Sequence, residues 1–180
     1  TLCARAELAR RVGLPGTDAW PSFAVAELLQ QLEEWLGPWL DGVTRRSHLQ
    51  KLSLHDALLH RLGANARARL DDWLPTHIVV PTGSKIKVDY LSDRAPSAAM
   101  RMQEVFGLAS TPKFALGKLP VTFELLSPAQ RPLQVTADLE SFWRNAYADV
   151  RKDMRGRYPR HYWPENPLEA EPTRGVRRRS

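Results

Sequence analysis

Between Phe23 and Leu40 the apolar residues Val25, Leu28, Leu29, Leu32, Trp35, Leu36, Trp39 and Leu40 return every three or four positions, with Gln30, Gln31, Glu33 and Glu34 between them. On a helix that spacing gathers one apolar face, so the stretch predicts an amphipathic helix with Leu32, Trp35 and Leu36 buried. Pro21-Ser22 supplies its start, and Gly37-Pro38 kinks its last turn because proline brings no amide donor. A second helix is expected from Ser53 to Leu62, with Ser53 as its cap, Asp56 in the electropositive first turn, and Leu54, Leu58, Leu59 and Leu62 turned inward. A third, Ala64 to Leu74, aligns Leu70, Trp73 and Leu74. Residues 1–76 therefore read as a small helical bundle.

After Pro75 the period changes. Ile86, Val88 and Tyr90 alternate with Lys85, Lys87 and Asp89, and the β-branched run Ile78-Val79-Val80 precedes them across Pro81-Thr82-Gly83-Ser84. This is the pattern of a β-hairpin over 77–90. A short helix is expected after Pro96-Ser97, with Ala98, Met102, Val105 and Phe106 in one stripe and Gly107 at its end. Strands follow at Pro120 to Leu126 and Pro132 to Thr136. A long helix from Ala137 to Arg155 then carries Leu139, Phe142, Trp143, Ala146, Val150 and Met154 on one side, until Gly156 and Pro159 stop it. The fold class is α+β: a helical bundle over 1–76, a small hairpin and sheet region packed with the long C-terminal helix over 77–163, and a Pro/Arg-rich tail over 164–180 expected to be disordered.

The 180 residues are 43% apolar and 26% charged, which is globular composition. A single cysteine, Cys3, excludes an intrachain disulfide and a thiolate zinc cluster, and fits a reducing cytoplasm. No apolar run approaches the ~20 residues that cross a bilayer. The chain opens on Thr1 without an initiator methionine, as a piece of a longer protein would. Gly83-Ser84-Lys85 and Gly117-Lys118 lack the preceding glycine that wraps amides around a phosphate, so no nucleotide loop is encoded. His55 and His60 stand five apart, a poor spacing for one metal, and no nucleophile elbow, zinc-helix motif or tuned carboxylate pair is present. No catalytic residue, cofactor site or metal site is expected in this chain.

Charge is uneven. Residues 1–76 balance 9 Lys and Arg against 9 acids, whereas residues 131–180 hold 11 against 7, out of a total net charge of +6. The densest run contains Arg144, Arg151, Lys152, Arg155, Arg157 and Arg160 against Asp149 and Asp153, interleaved with Tyr147, Tyr158, Tyr162 and Trp163. Guanidinium and ammonium groups neutralise phosphates and aromatic faces stack on unpaired bases, so Arg144, Arg151, Lys152, Arg155, Arg157, Tyr158, Arg160 and Tyr162 are candidate contacts for single-stranded RNA. The same pattern also describes an amphipathic helix with core aromatics and solvated arginines. The tail residues Arg174 and Arg177 to Arg179 add sequence-independent electrostatic affinity.

Several strings carry a resemblance: Trp73-Leu-Pro-Thr-His-Ile-Val-Val-Pro-Thr-Gly-Ser84, Met102-Gln-Glu-Val-Phe-Gly-Leu108, Leu125-Leu-Ser-Pro-Ala-Gln-Arg-Pro-Leu-Gln-Val-Thr136, Asp138-Leu-Glu-Ser-Phe-Trp143, Val150 to Pro159, and Trp163-Pro164. Over roughly 73–168 the chain resembles the C-terminal region of the HrpB family of bacterial DEAH-type ATP-dependent RNA helicases. The resemblance implies upstream motor domains that bind ATP and Mg²⁺, single-stranded RNA as a partner, and a β region similar to oligonucleotide-binding domains, though the strands here are few and interrupted by helices. It implies no helicase activity for these 180 residues, which lack every motor motif. The chain reads as a non-catalytic accessory module that touches RNA or braces the motor, or as a protein-interaction module that never meets nucleic acid. An exposed face of Arg151, Arg155, Arg157 and Arg160 separates the first from the second, which an exposed apolar patch would mark.

Overall fold

A computed structural model describes residues 1–91 and 95–176. The chain divides into two compact units, Thr1–Pro75 and Thr76–Ser180.

The first unit is helical: α1 (Leu2–Arg11), α2 (Val25–Gln30), α3 (Leu32–Leu36), α4 (Arg46–Leu49), α5 (Leu54–Leu62) and α6 (Ala64–Trp73), with 3₁₀ turns at Thr17–Ala19 and Gly37–Trp39. Its core is built from α1, α5 and α6 through small and large residues together: Ala6, Ala9, Ala57, Leu62, Leu70 and Leu74, joined by Leu14 and Phe23. Trp20 stacks on Trp73 at 6.0 Å. Ser53 caps α5 as expected, its hydroxyl accepting from the Asp56 amide at 3.2 Å. Gly63, at φ +86°, ends α5 and turns the chain into α6, a backbone region that residues with a Cβ rarely enter. The buried Arg5 closes the other end of α6: its Nε donates to the Leu74 carbonyl at 2.6 Å and its Nη2 to the Leu70 carbonyl at 3.1 Å, satisfying orphan helix acceptors.

The expected helix from Phe23 to Leu40 is not continuous. It breaks at Gln31 (φ −102°, ψ 22°) and ends in the 3₁₀ turn at Gly37–Trp39. Its apolar stripe is also outside the core: Val25 is 72% exposed, Leu29 65% and Leu32 39%, while Trp35 and Leu36 are half-buried. Periodicity marks the face that sheds water, and here it is covered only in part: the Trp39 ring stands edge-on to the His60 ring of α5 at 6.1 Å, while Val25 and Leu29 stay exposed. On α5, likewise, Leu54 is exposed and Ala57 with Leu62 supply the buried contacts.

The second unit is α+β. The hairpin forms as expected, β1 (His77–Val79) pairing antiparallel with β2 (Lys85–Lys87). The helix expected after Ser97 is instead a strand, β3 (Ser97–Arg101), followed by a 3₁₀ turn at Met102–Val105. Ala98 and Met100 point inward and Ala99 outward, so a period of two was present under the three-four spacing, and backbone pairing with a distant strand decides between them. Beyond β4 (Lys113–Phe114) and its short partner β5 (Leu119–Pro120) come β6 (Thr122–Leu126) and β7 (Pro132–Thr136). The main sheet has the order β3-β6-β7, with β3 parallel and β7 antiparallel to β6. The Asp89–Ser97 bridge continues it toward the hairpin. Among the described residues the strands form a mixed sheet and two ribbons rather than a closed five-stranded barrel.

The long C-terminal helix is two helices, α7 (Leu139–Asn145) and α8 (Tyr147–Arg157), separated at Ala146 (φ −118°, ψ −22°). Helix α8 runs through Gly156 and ends at Arg157. The segment after it, expected to be a disordered tail, lies on this unit as a strap through residue 176. Pro164, Pro167 and Ala170 are buried, the Gly107 amide donates to the Pro167 carbonyl at 2.8 Å, and the Thr173 amide to the Gln103 carbonyl at 3.0 Å. Residues 177–180 lie outside the described residues. Among the described residues no helix is long and apolar enough to cross a membrane.

Candidate nucleic-acid interface

The basic segment begins on α7, whose cap is Asp138, Oδ1 accepting from the Ser141 amide at 2.9 Å. Phe142, Trp143 and Tyr147 turn into the unit, where Phe106 meets them: ring centroids stand 5.0 Å apart for Phe142 and Trp143, 5.3 Å for Trp143 and Tyr147, and 6.2 Å for Phe106 and Tyr147. Each polar tip is satisfied: the Trp143 indole donates to the Leu108 carbonyl at 2.8 Å, the Tyr147 hydroxyl to the Pro164 carbonyl at 2.8 Å, and the Trp163 indole to the Tyr158 carbonyl at 3.0 Å. Burial pushes the Tyr147 hydroxyl far above its ordinary pKa, so it stays protonated. Most aromatics of the segment are therefore core. Tyr162 is half-buried with its ring edge-on to Phe106 at 6.5 Å, and Tyr158 is half-buried against the His161 ring at 6.0 Å.

The six cationic candidates fall into three environments. Arg151 is a structural anchor, 22% exposed in its side chain, with Nε donating to the Trp163 carbonyl at 3.1 Å and Nη2 paired with Glu165 at 3.1 Å. Arg144 and Arg157 are exposed and paired within their own helices, with Glu140 at 2.6 Å and Asp153 at 2.9 Å. Lys152, Arg155 and Arg160 are exposed and make no ion pair among the described residues. The expectation that Arg144, Arg151 and Arg155 share one exposed face is corrected: the break at Ala146 separates Arg144 from α8, and Arg151 is turned onto the strap.

Exposed i,i+4 pairs contribute about 0.5 kcal/mol, so Glu140 and Asp153 hold Arg144 and Arg157 only weakly. Lys152 and Arg155, three positions apart, stand on neighbouring turns of α8, and Arg160 follows beyond its end. Beside α7 a cavity of about 450 Å³ opens between Trp143, Arg144, Pro167 and Leu168. Burial, and then the Arg101 guanidinium, hold His161 below its ordinary pKa, so near neutral pH it adds no charge to the surface. Among the described residues no cluster of three or more His, Cys, Asp or Glu side chains can hold a metal.

Lys85 and Lys87 are cations that the sequence analysis did not count among the candidates. Both are exposed on β2, and their alternation with Ile86 and Val88 was the signal available.

Residues 35–167 match the family described as ATP-dependent helicase C-terminal. The chain is 47% identical over 167 residues to the ATP-dependent RNA helicase HrpB of Escherichia coli (strain K12), covering 93% of this chain and 20% of that protein. It is similar to the crystal structure of the E. coli DExH-box NTPase HrpB, with a TM-score of 0.87 and 44% identity over 96% of this chain and 21% of that one. A second crystal structure, of the Escherichia coli DEAH/RHA helicase HrpB, gives a TM-score of 0.70 and 43% identity over 89% of this chain and 20% of that one. The chain spans about a fifth of the length of these relatives. With a family match over most of its residues and this likeness to solved HrpB structures, the chain belongs to the ATP-dependent helicase C-terminal family.

Proposed function

We propose that this chain is a non-catalytic, nucleic-acid-contacting accessory module of a cytoplasmic ATP-dependent RNA helicase, whose ATP- and Mg²⁺-binding motor belongs to other parts of its polypeptide. The observation that carries the reading is the set of exposed cations Lys152, Arg155 and Arg160, which make no ion pair among the described residues, flanked by the weakly paired Arg144 and Arg157 and by Tyr158. Single-stranded RNA matches this chemistry: its phosphates meet the cations and an unstacked base meets the tyrosine ring. A K152Q/R155Q/R160Q chain tests it in equilibrium binding to a single-stranded oligonucleotide across a salt series. Loss of three contacts flattens the logarithmic salt slope by about 2, at roughly 0.7 per contact. Unchanged affinity and slope overturn the reading. Arg151 is left out of this variant because it anchors the strap.

A second reading, bracing of the motor without RNA contact, is favoured by the uncovered face of Val25, Leu29 and Leu32. It expects V25S/L29S to lower the ATPase rate of the full-length helicase while leaving oligonucleotide binding by the 180-residue chain unchanged.

A further inference from the structure

In the helical unit a cavity of about 560 Å³ opens between α3, the last turn of α5 and the chain leaving the 3₁₀ turn at Thr17–Ala19. That is the size of a small-ligand site, and its lining is mixed, as in such sites. Trp20, Pro21, Trp35 and Pro38 supply flat and apolar surface, while Glu34 and Arg61 supply charge. Trp20 is spent on packing, being 8% exposed and stacked on Trp73. Trp35 is half-buried, and its indole N–H donates to the Leu28 carbonyl at 2.9 Å, which fixes the ring while part of its surface stays open.

The two charged residues are incompletely used. Arg61 Nη2 donates to Gln31 Oε1 and, at 3.5 Å, to the Ser22 carbonyl, so the residue at the break between α2 and α3 positions the guanidinium. Nη1 makes no hydrogen bond among the described residues, and Nε is buried without a partner. Glu34 is exposed and forms no ion pair among the described residues, with Arg61 or with any other cation. A cationic donor and an anionic acceptor thus line one cavity unjoined. A half-buried guanidinium with spare donors calls for an acceptor, and a lone carboxylate beside it calls for donors.

We infer that this cavity binds a guanine base, presented by single-stranded RNA or by a free guanosine nucleotide. Guanine carries two acceptors, O6 and N7, on the edge that arginine meets most often, and two adjacent donors, N1–H and the N2 amine, on the next. A carboxylate accepts both donors at once. Adenine and cytosine set a ring-nitrogen acceptor beside their amine, and uracil flanks its one N–H with carbonyls, so each of these turns a lone pair toward Glu34. The flat ring of an unstacked base finds Trp35 and the two prolines as apolar contacts. For its RNA source the inference rests on the nucleic-acid reading above, but its residues belong to the other unit. There the charges balance, 9 Lys and Arg against 9 acids over residues 1–76, so recognition works through base edges rather than phosphates.

The test measures binding of the 180-residue chain to a fluorescent oligouridylate carrying one central guanosine, adenosine or inosine, across a salt series. The guanosine strand is expected to bind roughly tenfold tighter than the all-uridine strand, the discrimination of one good bidentate contact. Inosine, which keeps O6 and N7 but lacks the N2 amine, falls between them. E34Q, at an exposed position, is expected to bring the guanosine strand down to the affinity of the all-uridine strand at the same salt slope, because it removes no phosphate contact. Circular dichroism confirms that this variant remains folded. K152Q/R155Q/R160Q instead weakens every strand alike and keeps the preference for guanosine, so the two readings fail separately. Guanosine monophosphate that binds the wild-type chain but not E34Q, when no oligonucleotide binds, assigns the cavity to a free nucleotide and overturns the nucleic-acid reading alone. Equal affinity for all strands, with no binding of guanosine monophosphate, overturns the inference, as does a guanosine preference that persists in E34Q. Binding of a proline-rich peptide, lost in W35A, in place of any preference for guanine assigns the cavity to a protein partner and overturns it too.

Discussion

Trp143 places an indole among Phe142, Tyr147 and Phe106, with 8% of its surface exposed and its N–H bound to the Leu108 carbonyl. An aromatic in a basic segment invites a base-stacking role, but a ring this enclosed has no face to offer. W143A is expected to cost about 3–5 kcal/mol, through lost burial and the cavity left behind. W143F should cost less, since it keeps a ring and loses the hydrogen bond. Urea denaturation followed by circular dichroism checks both, and unchanged stability in W143A returns the indole to the surface. Arg5 makes the complementary point about charge. In the sequence it is one of many cations, yet it is 4% exposed and occupied by two carbonyls at the end of α6 and by Asp71. Nothing local to Arg5 announces this, because the carbonyls it serves lie more than 60 positions away.

At the scale of elements, the caps are testable without disturbing the core. D138A removes the acceptor for the Ser141 amide at the start of α7 and should cost about 1 kcal/mol, whereas D138N retains a capping oxygen and should stay close to wild type. Equal thermal midpoints for D138A and wild type would show that α7 is held by its aromatic contacts alone. Elements with local instructions were legible: the cap at Ser53, the β1–β2 alternation and the hairpin of β6 and β7. Three were not. The helix across Gln31 breaks although glutamine is a good helix former, and α7 parts from α8 at Ala146, where no proline or glycine stands. Strand β3 satisfies both periods in the sequence and is fixed by β6, which begins some twenty residues later. The candidate interface was legible as a composition but not as a surface, because only the strap's contacts reveal that Arg151 is spent internally.

For the whole molecule, acid sensitivity divides between the units. In the first, burial raises the Glu7 pKa, but the hydrogen bonds it accepts from the Phe23 amide, Arg10 and Ser22 outweigh this and leave it below its usual 4.5. In the second, His161 lies below its usual 6.5 through burial and Arg101. In both cases the unfolded chain binds the proton more readily, so stability rises with pH. The His161 contribution is complete above pH 6.5 and is lost as pH falls through its lower native value; the Glu7 contribution is lost in the same way below pH 4.5. Thermal stability of H161Q should therefore be flatter with pH just below 6.5, and a wild-type slope in that window would refute the assignment. The strap has a consequence in time. Its contacts from Pro167 to Gly107, Thr173 to Gln103 and Arg174 to Thr82 use residues translated last to close over residues translated first in this unit. At about 5–20 residues per second, the ribosome leaves Gln103 waiting roughly 4–14 s for Thr173. During synthesis the second unit is thus an unfinished fold, and a chain halted at residue 167 never acquires its last hydrogen bonds.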